Sequence, residues 1–214
     1  AMGTIESASQ ESRSDKRAPK FAPGGQSTQM IVGADASDDS RILHTAESLY
    51  GQYRLRRVYY SAFSPIPNSP ASVPMQAPPL LREHRLYQAD FLLRGYGFKV
   101  NELIGAQGNL PLDIDPKLAW ALANRDIFPV DLNLAEPQLI ARIPGIGVRS
   151  AERIVSLRRL KRIRFEDVAR LRCVIEKAKP FIITSDYHPP QATLESSVLR
   201  RQLSDQPAQM ALWG

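Results

Sequence analysis

The sequence predicts an α/β segment followed by an all-α one. Three observations carry this: a strand, helix, strand pattern over residues 28–63, amphipathic helical stretches from residue 80 onward, and the turn Ile143-Pro144-Gly145-Ile146-Gly147-Val148 between two helical patterns. Residues 1–20 are rich in Ser, Glu, Lys and Arg and poor in large apolar side chains, which predicts a flexible lead-in or a helix torn from its context. After the Pro23-Gly24-Gly25 turn, residues 28–33 read as a short buried strand ending in Gly33. Asp38, Asp39 and Ser40 open a helix with Ile42, Leu43, Ala46, Leu49 and Tyr50 on one face. The β-branched and aromatic run 57–63 supplies a second strand, so the three elements make one βαβ unit of a parallel sheet. Parallel strands need covered faces and neighbours, so this unit belongs to a larger α/β protein or leans on the helices that follow.

Six prolines between Ser64 and Pro79 exclude helix and central strand and predict a crossing loop. Residues 80–97 resume as a helix with Leu86, Ala89, Leu93 and Tyr96 on one face; its Glu83, His84, Arg85 and Asp90 read as an exposed or pairwise-satisfied surface, the alternative being that they face a barrel mouth. A short helix follows over 117–124, and a helical pair over 165–181 around Val168, Leu171, Val174 and Ile175. Beyond residue 184 the chain turns polar and proline-punctuated, which predicts a flexible tail with one helical turn over 194–203. The domain limits are therefore 1–20, 21–100, 101–184 and 185–214, with the glycine turn inside 130–182.

Twenty-eight Lys and Arg against 22 Asp and Glu give a net charge of +6, which permits a polyanionic partner without requiring one. One cysteine, Cys173, excludes an internal disulfide, a four-thiolate zinc site and an iron–sulfur cluster built from this chain alone; it reads as a small buried apolar residue. His44, His84 and His188 stand apart in sequence, so no metal is expected. No apolar run approaches the ~20 residues that span a bilayer, and no signal-peptide pattern opens the chain, which predicts a cytoplasmic protein away from membranes. Ala1 ahead of Met2-Gly3 reads as an expression scar or an arbitrary cut.

The glycine turn is the candidate site. Glu136-Pro137 starts a helix, Leu139, Ile140 and Ile143 form its apolar face, and Gly145 and Gly147 allow positive φ and close approach of another backbone. A helix beginning at about Val148 then points its unpaired N–H groups at whatever sits over the turn, which suits an anion. Arg149, Ser150 and Arg153 flank that position, and five cations fall in the seven residues 158–164 behind it, Arg158 and Lys161 among them. The predicted DNA-binding residues are Pro144, Gly145, Ile146, Gly147, Val148, Arg149, Ser150, Arg153, Arg158 and Lys161, gripping phosphate without reading bases. A plain helix–helix turn and a solvated run of cations are the alternatives.

Leu139, Ile143, Ala151 and Ile154 around the turn, with Val130-Asp131-Leu132-Asn133-Leu134-Ala135 ahead of it, resemble the helix-hairpin-helix of DNA-repair and competence proteins. The stretch 165–174 resembles a degenerate second hairpin without glycine, which implies a packing role only. Upstream, residues 22–34, 57–63 and 79–90 resemble the C-terminal half of the DNA modification/repair radical SAM proteins, and the likeness continues to about Phe181. That resemblance implies the last strands and helices of a partial TIM-type barrel followed by a helix-hairpin-helix domain, with the 26–33 and 58–63 strands bordering a pocket for S-adenosylmethionine. The family's three-cysteine motif for a [4Fe–4S] cluster is absent here, so the likeness implies a truncated chain without radical chemistry of its own, and no catalytic residue. It also implies a partner similar to a uracil-DNA glycosylase.

Near the end, Gln209-Met210-Ala211-Leu212-Trp213 resembles the short peptide by which bacterial repair and replication proteins dock on the DNA sliding clamp. The other expectation is that Trp213 folds back on the protein's own surface. Three functions are thus expected to compete: sequence-independent DNA binding, a protein-interaction module in which the hairpin packs on a partner, and residual affinity for S-adenosylmethionine.

Overall fold

The computed structural model describes residues 1–14, 19, 21–67, 74–105, 107–190 and 196–204. Within them lie ten α-helices and two separate two-stranded parallel sheets, a mixed α/β architecture. No helix among the described residues is long and apolar enough to cross a membrane. The chain divides into two compact units, residues 1–90 with 104–110, and residues 91–103 with 111–214.

The first unit is the βαβ pattern made solid. Strand β1 (Ser27–Val32) and strand β2 (Arg57–Ala62) pair in parallel from Ser27 opposite Arg57 to Val32 opposite Ala62, with helix α2 (Asp39–Tyr53) between them in sequence. Asp38 caps α2 by accepting from the Arg41 N–H at 2.8 Å, as an Asp N-cap should. Alternation decides which face of the sheet is covered. Val58 and Tyr60 are buried with Leu43 and Ala46 of α2 and with Leu86 and Ala89 of helix α3 (Leu80–Gly95), while Ile31 and Tyr59 point outward, 48% and 45% exposed. No third strand joins this sheet among the described residues.

Of the two readings of residues 1–20 the helical one holds, since Met2–Ser14 forms helix α1, which touches α2 and buries Glu6 and Ser9. One expectation changes. Asp90 and Arg85 are not surface groups of α3: both are 1% exposed, and the Asp90 carboxylate accepts from the Tyr50 and Tyr60 hydroxyls at 2.8 and 3.2 Å. A buried carboxylate keeps its place only when its oxygens are bonded in this way.

The second unit is helical. Helices α4 (Val100–Leu103) and α5 (Pro116–Ala123) precede two helix pairs: α6 (Pro137–Arg142) with α7 (Val148–Arg158), and α8 (Phe165–Arg170) with α9 (Ile175–Ala178). Short strands β3 (Val130–Asp131) and β4 (Ile182–Ile183) pair in parallel and tie the start of this array to its end. Edge-to-face aromatic contacts run through its core from Phe98 to Trp120, Phe128 and Phe181, with ring centroids 5.2, 6.0 and 5.2 Å apart. Within the expected tail, Ser196–Leu203 forms helix α10, anchored by fully buried Leu199 and by a bidentate Arg200–Asp113 pair at 2.7 and 2.8 Å. The residues 209–213 that resemble a clamp-docking peptide lie outside the described residues.

Candidate nucleic-acid interface

The α6–α7 turn is built from both ends. Pro137 sits at a first-turn position of α6, and the Ile146 N–H donates back to the Ile143 carbonyl at 3.1 Å, closing the hairpin. Ile143, Ile146, Ala151 and Ile154 turn their side chains wholly into the core, and with its N–H already given to Ile143 the expected contact residue Ile146 shapes the turn and offers a phosphate no free donor. Gly145 has φ +79°, and its carbonyl accepts the Val174 N–H at 2.8 Å.

Gly147 differs from the expectation of two positive-φ glycines. It is the N-cap of α7 in an extended conformation, φ −84° and ψ 163°, which any residue adopts. Having no side chain, it caps nothing, and the N–H groups of Val148, Arg149 and Ser150 find no acceptor among the described residues. Arg149 and Arg153, four residues apart on α7, lie on the same side of the helix, both exposed and without an ion pair among the described residues. One carboxylate, Glu152, shares the helix with them.

Besides Ile146, four more of the ten expected contact residues serve the fold instead. The Ser150 hydroxyl is buried and donates to the Leu171 carbonyl at 2.9 Å, so it holds the second hairpin and cannot flank a phosphate. Arg158 donates to the carbonyls of Leu132 at 3.3 Å and Ala135 at 2.6 Å, bracing the loop ahead of α6. Lys161 is paired with buried Asp167 at 2.6 Å, and that ammonium, with the Arg164 N–H, holds the Asp167 carboxyl below the usual carboxylate range. Pro144 is buried as well and shapes the turn only. Of the cations in 158–164, Arg159 and Arg162 keep exposed side chains without an ion pair among the described residues. Replacing Arg158 with Ala is expected to lower unfolding free energy by about 1–2 kcal/mol, through the lost bonds to two carbonyls. Urea unfolding would read that loss, and DNA affinity of the folded protein should stay unchanged.

The second pair, α8–α9, is a hairpin too. Its turn places Arg172 at φ +63°, the left-handed conformation that Gly145 supplies in the first, at a strain of roughly 1 kcal/mol. The Val174 to Gly145 and Ser150 to Leu171 bonds lock the two turns together, the packing role expected of it.

Sequence reasoning missed what lies beneath the first turn. Lys117, in the first turn of α5, donates from Nζ to the Ile146 carbonyl at 2.5 Å and lies 4.6 Å from the centroid of the Tyr96 ring. The short helix expected over 117–124 already places Lys117 at a helix start, which Asp115 as N-cap and Pro116 in the first turn supply, but nothing local points Lys117 at Ile146.

No protein-family model matches the chain, and neither a curated protein nor a solved structure is significantly similar to it.

Proposed function

We propose that the α6–α7 hairpin binds the phosphate backbone of DNA without regard to sequence. The observation that carries this is an α7 N-terminus without a side-chain cap, whose N–H groups at Val148 and Arg149 find no acceptor among the described residues and share the helix with the cations Arg149 and Arg153, which form no ion pair among those residues. Amide dipoles and guanidinium groups on one side of a helix start attract an anion, and a repeating phosphate chain offers one at any sequence. The protein-interaction alternative has its own support in Leu134 and Leu160, 79% and 85% exposed.

We further propose that this chain is the C-terminal part of a radical SAM protein acting on DNA in the cytoplasm, with the β1–α2–β2 unit contributing the last strands of a partial barrel. The outward-facing Ile31 and Tyr59 leave one face of a parallel sheet uncovered, which supports a further layer packed on it in a larger α/β protein. The chain's own residues do not fit the family's cluster: it offers one thiol, Cys173, buried and with its pKa pushed up by that burial, where three thiolates are needed. Chemistry through a [4Fe–4S] cluster and S-adenosylmethionine therefore falls to a longer parent, in which a glycosylase-like protein and the sliding clamp are the proposed partners.

Anisotropy titration of labelled duplexes of unrelated sequence tests the binding reading. Affinity should differ little between sequences and fall with salt with a logarithmic slope of roughly −2 to −3, for two or three neutralised phosphates. Salt-indifferent binding, or none, would overturn it.

A further inference from the structure

We propose that Lys117 is a positioning residue of this same hairpin, coupling its hold on a phosphate to pH, so that binding takes up a proton at the Lys117 amine. The inference rests on the DNA-binding reading of the hairpin. Asp115 caps α5 by accepting the Leu118 N–H at 2.9 Å, which sets Lys117 in the first helical turn and aims its long side chain under α6–α7. There Nζ donates to the Ile146 carbonyl, the group just ahead of Gly147 and the free N–H donors of α7. The Tyr96 ring lies against the ammonium, and the Tyr96 hydroxyl comes within 3.6 Å of where a Gly147 side chain would start. The charge is thus built into the back of the anion position, on the core side, where solvent screens it less than it screens Arg149 or Arg153.

Its surroundings make that charge conditional. Burial pulls the Lys117 pKa down to about 7, against the opposing pulls of Asp115 and then Cys173. The Asp115 carboxylate is shared with Lys177 of α9 at 2.9 Å, and the Cys173 thiol, on the α8–α9 turn, is itself held protonated by burial. Tyr96, just past the end of α3, contributes a ring face and no formal charge. No full counter-charge therefore belongs to Lys117 alone, and a phosphate diester seated on Val148 and Arg149 would supply one. An added anion favours the protonated amine, so its pKa rises on binding. The sign follows from linkage: affinity is highest below pH 7, falls as pH rises through the free-state value, and levels off above the bound-state value.

The test is the affinity of the full chain for one duplex DNA from pH 6.0 to 8.5 at constant ionic strength, for wild type, Lys117→Arg and Lys117→Met. The wild type should weaken roughly fivefold across this range, the energy of one partly screened charge near a phosphate. Lys117→Arg, charged throughout, should bind tightly with a flat profile, and Lys117→Met weakly with a flat profile. Because Lys117→Met could lose its fold, the Lys117 Cε resonance of the wild type is followed as well, with a midpoint near pH 7 that moves upward with DNA bound. DNA binding with a flat wild-type profile, a wild-type slope retained in Lys117→Arg, or a midpoint above pH 9 would overturn the role of Lys117 and leave the hairpin reading intact. Absence of DNA binding at every pH would overturn both.

Discussion

Gly145→Ala is expected to destabilise the helical unit by about 3 kcal/mol. At φ +79° an L side chain is strained by roughly 1 kcal/mol before any contact is considered. The new Cβ would then overlap the Val174 carbonyl oxygen and come within 3.0 Å of the Ala178 nitrogen and 3.1 Å of the Lys177 Cβ. These atoms cannot step aside, since the Gly145 carbonyl itself accepts the Val174 N–H at 2.8 Å and the two turns are joined there. Overpacking a joined backbone adds about 1–3 kcal/mol. Urea unfolding followed through Trp120, buried in the aromatic core of this unit, reads the effect. A Gly145→Ala protein within about 0.5 kcal/mol of wild type would show that the two turns separate freely, against the geometry described.

That contrast between neighbouring glycines marks how far local sequence carries. The apolar spacing and Glu136-Pro137 place α6, and the first turn of α7 begins at Val148 as the pattern predicts. The βαβ unit was equally legible, because a polar helix start at Asp38 and two β-branched runs are local signals. What Gly145 and Gly147 touch is not local: Val174 and Ala178 stand about thirty residues downstream of the first, and Tyr96 about fifty upstream of the second. The same limit explains the cation run. Arg158 and Lys161 read as surface charge until Leu132, Ala135 and Asp167 arrive from other elements to take them. Composition left α1 open between lead-in and helix and gave α10 a single turn; α10 runs to eight residues because Leu199 is buried and Arg200 pairs with Asp113. The second hairpin lacks glycine because an arginine, Arg172, bears the left-handed strain within a well-bonded turn.

Gly147→Asp is expected to separate stability from binding, raising the first by about 0.5 kcal/mol and lowering DNA affinity at least ~10-fold. Gly147 already has the extended backbone of an N-cap, so aspartate enters without strain, and its Cβ would meet only the Tyr96 hydroxyl at an ordinary 3.6 Å. The carboxylate would accept from the free N–H groups of the first turn of α7, capping the helix and complementing its dipole. Those are the donors proposed to hold the phosphate, and the carboxylate would also set a negative charge where a negative ligand must sit. Gly147→Ala is the control: it removes the glycine with neither cap nor charge, and should bind within about threefold of wild type, since the backbone donors stay free. Thermal melting and DNA titration of both variants give the two readouts. A folded Gly147→Asp protein that binds DNA as the wild type does would remove the hairpin from the interface, because no phosphate could share those donors with a carboxylate already bonded to them.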